Sequence, residues 1–108
     1  MDMRSCIDAC TACQGACTLC AEDCRSHGNF ANAELAEACV AQCRIAVAAM
    51  QRNSARECAA CSLICAECAE MCASMDGDVH AHGAEACARC ANECGKMVLA
   101  DGGQAMLF

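Results

Sequence analysis

Proline, tryptophan and tyrosine are missing from this 108-residue sequence, and phenylalanine occurs only twice. Without proline, nothing in the chain forbids the backbone hydrogen bonds of a helix interior. Without large aromatics, the core cannot take its volume from the side chains that usually dominate one. Basic residues are scarce as well: seven Lys and Arg against 14 Asp and Glu leave a formal net charge of −7. They are also scattered, which excludes the basic patch that a phosphate backbone requires, so no nucleic-acid partner is expected. No run approaches the roughly 20 apolar residues that span a bilayer, so no membrane partner is expected either. The opening Met-Asp-Met-Arg-Ser-Cys lacks the charged-then-apolar character of a secretory signal. A cytoplasmic location is the expectation, and there thiols are kept reduced, so abundant cysteine points to metal or redox chemistry rather than to structural disulfides.

What is present is alanine and 16 cysteines. Breaks at Ser26-His27-Gly28-Asn29, Arg52-Asn53-Ser54 and Asp76-Gly77-Asp78 divide the chain into four alanine-rich segments, read as helices over residues 3–26, 31–52, 55–75 and 80–100. At 1.5 Å per residue each would be about 30 Å long, and such short connections force antiparallel neighbours. The expectation is an all-α, up-down-up-down four-helix bundle forming a single domain over residues 1–108. Ser54 followed by Glu57 reads as a capping box, and Gly28 as the left-handed residue that ends helix 1. Gly83 reads as a weak point in the first turn of helix 4. The tail can either fray or dock through Leu107 and Phe108.

The cysteines of helix 1 fall at Cys6, Cys10, Cys13, Cys17, Cys20 and Cys24, alternating steps of four and three that keep one face of a bundled helix inward. Helix 2 carries Cys39 and Cys43, helix 3 carries Cys58, Cys61, Cys65, Cys68 and Cys72, and helix 4 carries Cys87, Cys90 and Cys94. Every cysteine lies on the inward stripe of its own helix. Extending the stripes reaches Met3, Met50 and Met97, which an up-down bundle gathers at one mouth, and His27, Met75 and His80, which it gathers at the other. Met71 and His82 lie off the stripe near that second mouth. The plain alternatives are that methionine is an ordinary gap-filler and that histidine at a helix end is solvated.

A row of cysteine underfills a helix interface relative to leucine, and metal–thiolate bonds would recover that loss. Soft thiolates select Cu(I), zinc and iron–sulfur clusters. Cysteines at i and i+4 suit the low coordination numbers of Cu(I); the pairs are Cys6/Cys10, Cys13/Cys17, Cys20/Cys24, Cys39/Cys43, Cys61/Cys65, Cys68/Cys72 and Cys90/Cys94, and these are expected to bind first. Buried thiolates cannot stay anionic, and of order one Cu(I) per thiolate would neutralise them. Zinc needs four ligands in a tetrahedron. Two levels offer them, Cys10/Cys43/Cys61/Cys94 and Cys13/Cys39/Cys65/Cys90, whereas Ala36 and Ala46 interrupt the pattern elsewhere. A zinc-binding structural or buffering role is therefore the alternative. A ferredoxin-type carrier is disfavoured because the loops and proline of cluster motifs are missing.

With Cys-x3-Cys and Cys-x2-Cys filling the inner faces of four helices over residues 3–100, the sequence resembles the bacterial copper storage protein family. The resemblance implies a bundle that binds many Cu(I) ions through the sixteen cysteines, with His27, Met75, His80 and also Met71 or His82 at the mouth that admits copper. It further implies a cytosolic homo-oligomer, commonly a tetramer; a storage role in turn calls for a copper chaperone or thiol carrier as partner. Helix 2 is poorer in cysteine than in the densest members, so incomplete filling is expected beside Ala36 and Ala46. Leu19, Ile45, Leu63 and Leu99 fall on outward faces and favour self-association. No nucleophile–base pair, phosphate loop or inward carboxylate pair is discernible, so no enzymatic activity is expected.

Overall fold

In the computed structural model, which describes residues 2–100, four antiparallel helices follow in the order α1 (Arg4–Ser26), α2 (Phe30–Gln51), α3 (Cys58–Ala73) and α4 (Asp78–Ala100). Each packs on its chain neighbours, and α4 returns to α1 to close the ring. The docking alternative for Leu107 and Phe108 lies outside the described residues.

Helix ends follow local chemistry. Past α1, Gly28 takes a left-handed φ of 73°. The Asn29 N–H then reaches the Cys24 carbonyl at 2.8 Å, and the Gly28 N–H reaches Arg25 at 3.1 Å. That pair of bonds satisfies carbonyls that a helix end would otherwise orphan. Asn53, with φ of 64°, repeats the motif after α2, where the Ser54 N–H binds the Ala49 carbonyl at 2.9 Å.

The Ser54–Glu57 capping box does not form. Because Ser54 is still engaged in closing α2, its Oγ accepts only from the Arg56 N–H at 3.4 Å, while the Glu57 carboxylate is drawn to Gln42 Nε2 at 3.3 Å. Helix α3 accordingly starts at Cys58, three residues after the expected position. Gly83 also differs from its expected role. It is buried within α4 at a point where a Cβ would come within 3.1 Å of Cys72 Sγ, so glycine there permits close helix approach.

The core is made of sixteen cysteines, small alanines and three methionines, with Val98 its one buried β-branched residue among those described. On the surface, Arg25 of α1 makes a two-pronged ion pair with Glu37 of α2 at 2.6 and 2.7 Å, pinning the first hairpin. Leu19, Ile45, Leu63 and Leu99 are exposed as expected, and Phe30 joins them.

Candidate metal centre

All sixteen cysteines are free thiols and all are buried. Alternating three- and four-residue steps put each row on one helix face, and closing the bundle turns the four rows toward one axis. The sulfurs touch. A path of steps between 3.3 and 3.8 Å runs Cys6, Cys94, Cys10, Cys90, Cys43, Cys65, Cys39, Cys13, Cys17, Cys68. The shortest contact, Cys17 to Cys87 at 3.2 Å, joins α1 to α4.

Sulfur contacts and axial register both bear on how the thiols group. Within single helices, Cys13/Cys17 at 3.7 Å and Cys61/Cys65 at 3.9 Å are in sulfur contact, whereas the tightest approaches cross between helices. Rotamers that point sulfur to the axis bring it nearer to a facing helix than to its own next turn. The levels also differ: Cys10, Cys43 and Cys61 are completed by Cys90, while Cys94 joins Cys6 and Cys58. Helix α4 is thus displaced along the axis relative to the assumed stave alignment. Cys43 completes the set with Cys13, Cys39 and Cys65, and Cys87 that with Cys13, Cys17 and Cys39.

Protonation follows from burial. Loss of solvent is the chief reason the Cys20 and Cys24 thiols are pushed up. Cys58 is pushed up to about 12, first by hydrogen bonding with Cys6 and then by burial, against a hydrogen bond with Cys94 that pulls it down. A buried thiol without a cation beside it keeps its proton. Within the rows, Cys10, Cys13, Cys39, Cys61 and Cys72 are pulled down by hydrogen bonds from neighbouring thiols while partners such as Cys17 and Cys43 are pushed up, so protons are shared between sulfurs and burial opposes ionisation of the array as a whole until a metal replaces them.

The two ends differ. Where α1 and α3 begin and α2 and α4 finish, Met3, Met50 and Met97 are all buried with Ala55 and Val98. At the opposite end His80 is 2 % exposed and is the only buried polar side chain among the described residues. Its Nδ1 lies 3.0 Å from Cys20 Sγ and its Nε2 2.7 Å from Asp23 Oδ2. Cys20, Cys24 and His80 bring their ligand atoms within 4.8 Å of one another. Cys24 Sγ also meets Met75 Sδ at 3.9 Å, and Asn32 Nδ2 donates to that thioether at 3.5 Å.

The other residues named from sequence at this end are more peripheral. His27 is exposed, with its ring on the Asp23 backbone carbonyl at 2.8 Å. Met71 is half-buried against the core. His82 is exposed and lines a groove with Ala9, Ala12, Glu85, Ala86 and Arg89, turned to the α1 flank. Asp23 and Asn32 were not anticipated. Asp23 had a visible signal, since it precedes Cys24 and stands four residues before His27, but an acidic residue off the cysteine stripe reads as solvated.

Two solved structures are similar to this bundle. The Cu(I)-bound copper storage protein BsCsp3 has a TM-score of 0.82 and 34% identity, covering 88% of this chain and 96% of its own. The apo form of copper storage protein 3 from Bacillus subtilis has a TM-score of 0.83 and 35% identity, covering 89% of this chain and 98% of its own. No curated protein sequence gives a significant match. Residues 1–99 match the family described as copper storage protein, and a match of that extent, on a fold whose interior is built from thiols, places the chain in the copper storage protein family.

Proposed function

We propose that this protein stores Cu(I), holding many ions on its sixteen inward thiols. The observation that carries the reading is the unbroken run of buried sulfur contacts from Cys6 to Cys68. As each ion arrives, Cu(I) replaces a thiol proton, which leaves to solvent, and the resulting thiolate–Cu(I) unit is neutral. The core can therefore fill without accumulating charge, toward of order one ion per cysteine. The Cu(I)-bound state of the BsCsp3 relative supports the same ion here.

Zinc is served less well. The four-thiol groups share members: Cys43 belongs to two of them, and Cys13 and Cys39 to two. Of the three four-thiol groups that share Cys13, Cys39 and Cys43, only Cys10/Cys43/Cys61/Cys90 and Cys13/Cys17/Cys39/Cys87 can be occupied together, and each tetrathiolate zinc would bury a double negative charge. An iron–sulfur cluster is disfavoured because all the thiols project from helices, with no wrapping loop among the described residues.

The cysteines are the storage ligands in this reading, with Cys20, Cys24, His80 and Met75 forming the end that admits copper and His27 and Met71 at its margin. Met3, Met50 and Met97 close the other end. A storage role calls for no catalysis. It does call for a copper chaperone or a small thiol carrier as donor and acceptor, and for a reducing cytosol. No helix among the described residues is long and apolar enough to cross a membrane. Self-association is favoured by a groove of about 600 Å³ between α3 and α4, where Leu63 and Leu99 present apolar surface.

Anaerobic titration with Cu(I) in the presence of competing zinc tests the function. Uptake well beyond about eight ions per chain is expected from the ligand count. Saturation at one or two copper ions, or displacement of copper by zinc, would sink the storage reading.

A further inference from the structure

Buried histidine beside buried thiol is an orientation problem, because a free imidazole can turn either nitrogen toward the sulfur. Here the ring is held from both sides. Nε2 lies 2.7 Å from Asp23 Oδ2 and Nδ1 lies 3.0 Å from Cys20 Sγ. A carboxylate oxygen accepts and cannot donate, so the hydrogen between His80 and Asp23 belongs to Nε2. In the neutral ring Nδ1 then carries the lone pair, and that lone pair faces the cluster of Cys20, Cys24 and His80.

We propose that Asp23 is a positioning residue for the copper entrance, holding His80 by its Nε2–H so that Nδ1 is presented to the thiols as the ligating nitrogen. The proposal rests on the storage reading and deepens it at one site. When Cu(I) binds Cys20, the S–H bond breaks, the S–Cu bond forms and the proton departs. Nδ1 loses its hydrogen-bond donor at that moment and is already aimed to join the ion. A metal-bound histidine that donates its other N–H to a carboxylate gains both a fixed ring angle and a more basic ligand nitrogen. Asp23 can do this from the surface because its side chain is 41% exposed while that of His80 is 3% exposed. One oxygen faces inward and the other lies 3.7 Å from the outer His27. Cys24 cannot substitute for the carboxylate, since its sulfur is directed to Met75.

The test begins on reduced protein before any metal is added. Nitrogen-15 NMR of the imidazole should show His80 with hydrogen on Nε2. Hydrogen on Nδ1 alone would overturn the proposal without a mutation being made. Asp23→Ala should release the ring into a mixture of tautomers and slow transfer of the first Cu(I) ions from a chromogenic chelator about tenfold, while Asp23→Asn, which keeps an acceptor oxygen, should recover much of both. Circular dichroism of each variant reports folding. If Asp23→Ala does not fold, the wild-type tautomer and the Asp23→Asn comparison carry the decision. An Asp23→Ala protein that keeps the wild-type tautomer and transfer rate would refute the role. Failure of the wild type to take up many copper ions would instead refute the storage reading, while leaving the tautomer result to stand separately.

Discussion

The bundle has two ends built to opposite rules. At one, Met3, Met50 and Met97 are buried together with Ala55 and Val98, and the nearest thiols, Cys6, Cys58 and Cys94, lie behind them. At the other, the closing side chains are polar or half-buried: His80 tied to Asp23, Met75 tied to Asn32, and Met71. An apolar plug costs core packing to open, whereas a hydrogen-bonded histidine and a half-buried thioether can shift with less loss. The lesson is that identical ligand rows acquire a direction from what caps them.

Alkaline pH gives the largest effect and shows what the ends share. Cys20 and Cys24 at the histidine end and Cys58 at the methionine end are all raised, Cys58 to about 12 against an ordinary thiol value of 9.0. Between those values the unfolded chain has released protons that the folded chain retains. The stability these three thiols contribute, intact below about pH 9, is therefore expected to fall as pH rises toward 12. Melting curves of metal-free protein should show a steady drop over that window, and copper-loaded protein, whose thiol protons are gone, should not follow it.

Methionine truncation comes next and separates the ends. Met50→Ala is expected to cost about 2–5 kcal/mol in denaturant unfolding, and Met75→Ala less than about 1 kcal/mol because its side chain is only half-buried. Only the second should alter the rate of copper uptake. Faster loading of Met50→Ala would mean that the plugged end also admits metal, and the distinction between ends would be lost.

Thiol pairs sharpen the same contrast. Replacing Cys20 and Cys24 by serine should slow the first copper transfers about tenfold, whereas replacing Cys6 and Cys58 should leave early uptake alone and lower the final count by a few ions, in keeping with ligand loss at one site. Stopped-flow transfer and endpoint titration read the two effects separately.

Glycine substitution gives the smallest effect. Gly95→Ala meets nothing nearer than Ser62 Oγ at 3.8 Å and should stabilise α4 by about 1 kcal/mol. Gly83→Ala has the same propensity gain but presses on Cys72 Sγ at 3.1 Å, so its unfolding midpoint should fall below that of Gly95→Ala. Equal midpoints would show that the histidine end has slack the structure does not display.

By itself the sequence determined the helix number, the antiparallel order and the inward facing of every cysteine. These are local consequences of turn residues, alanine content and a repeat of three and four that only a helix turns into a row. Tertiary structure decided what depends on how far one helix slides past another. The displacement of α4 pairs Cys90, rather than Cys94, with Cys10, Cys43 and Cys61. Closure of α2 onto the Ala49 carbonyl removed the capping box at Ser54 and moved the start of α3 to Cys58. Close approach of α4 to Cys72 made Gly83 a packing residue rather than a weak turn. Asp23 and His80, 57 positions apart, became partners only because the fourth helix lies against the end of the first. Periodicity along one helix carries no information about axial offset between two, and that offset decides which sulfurs, and which histidine nitrogen, meet.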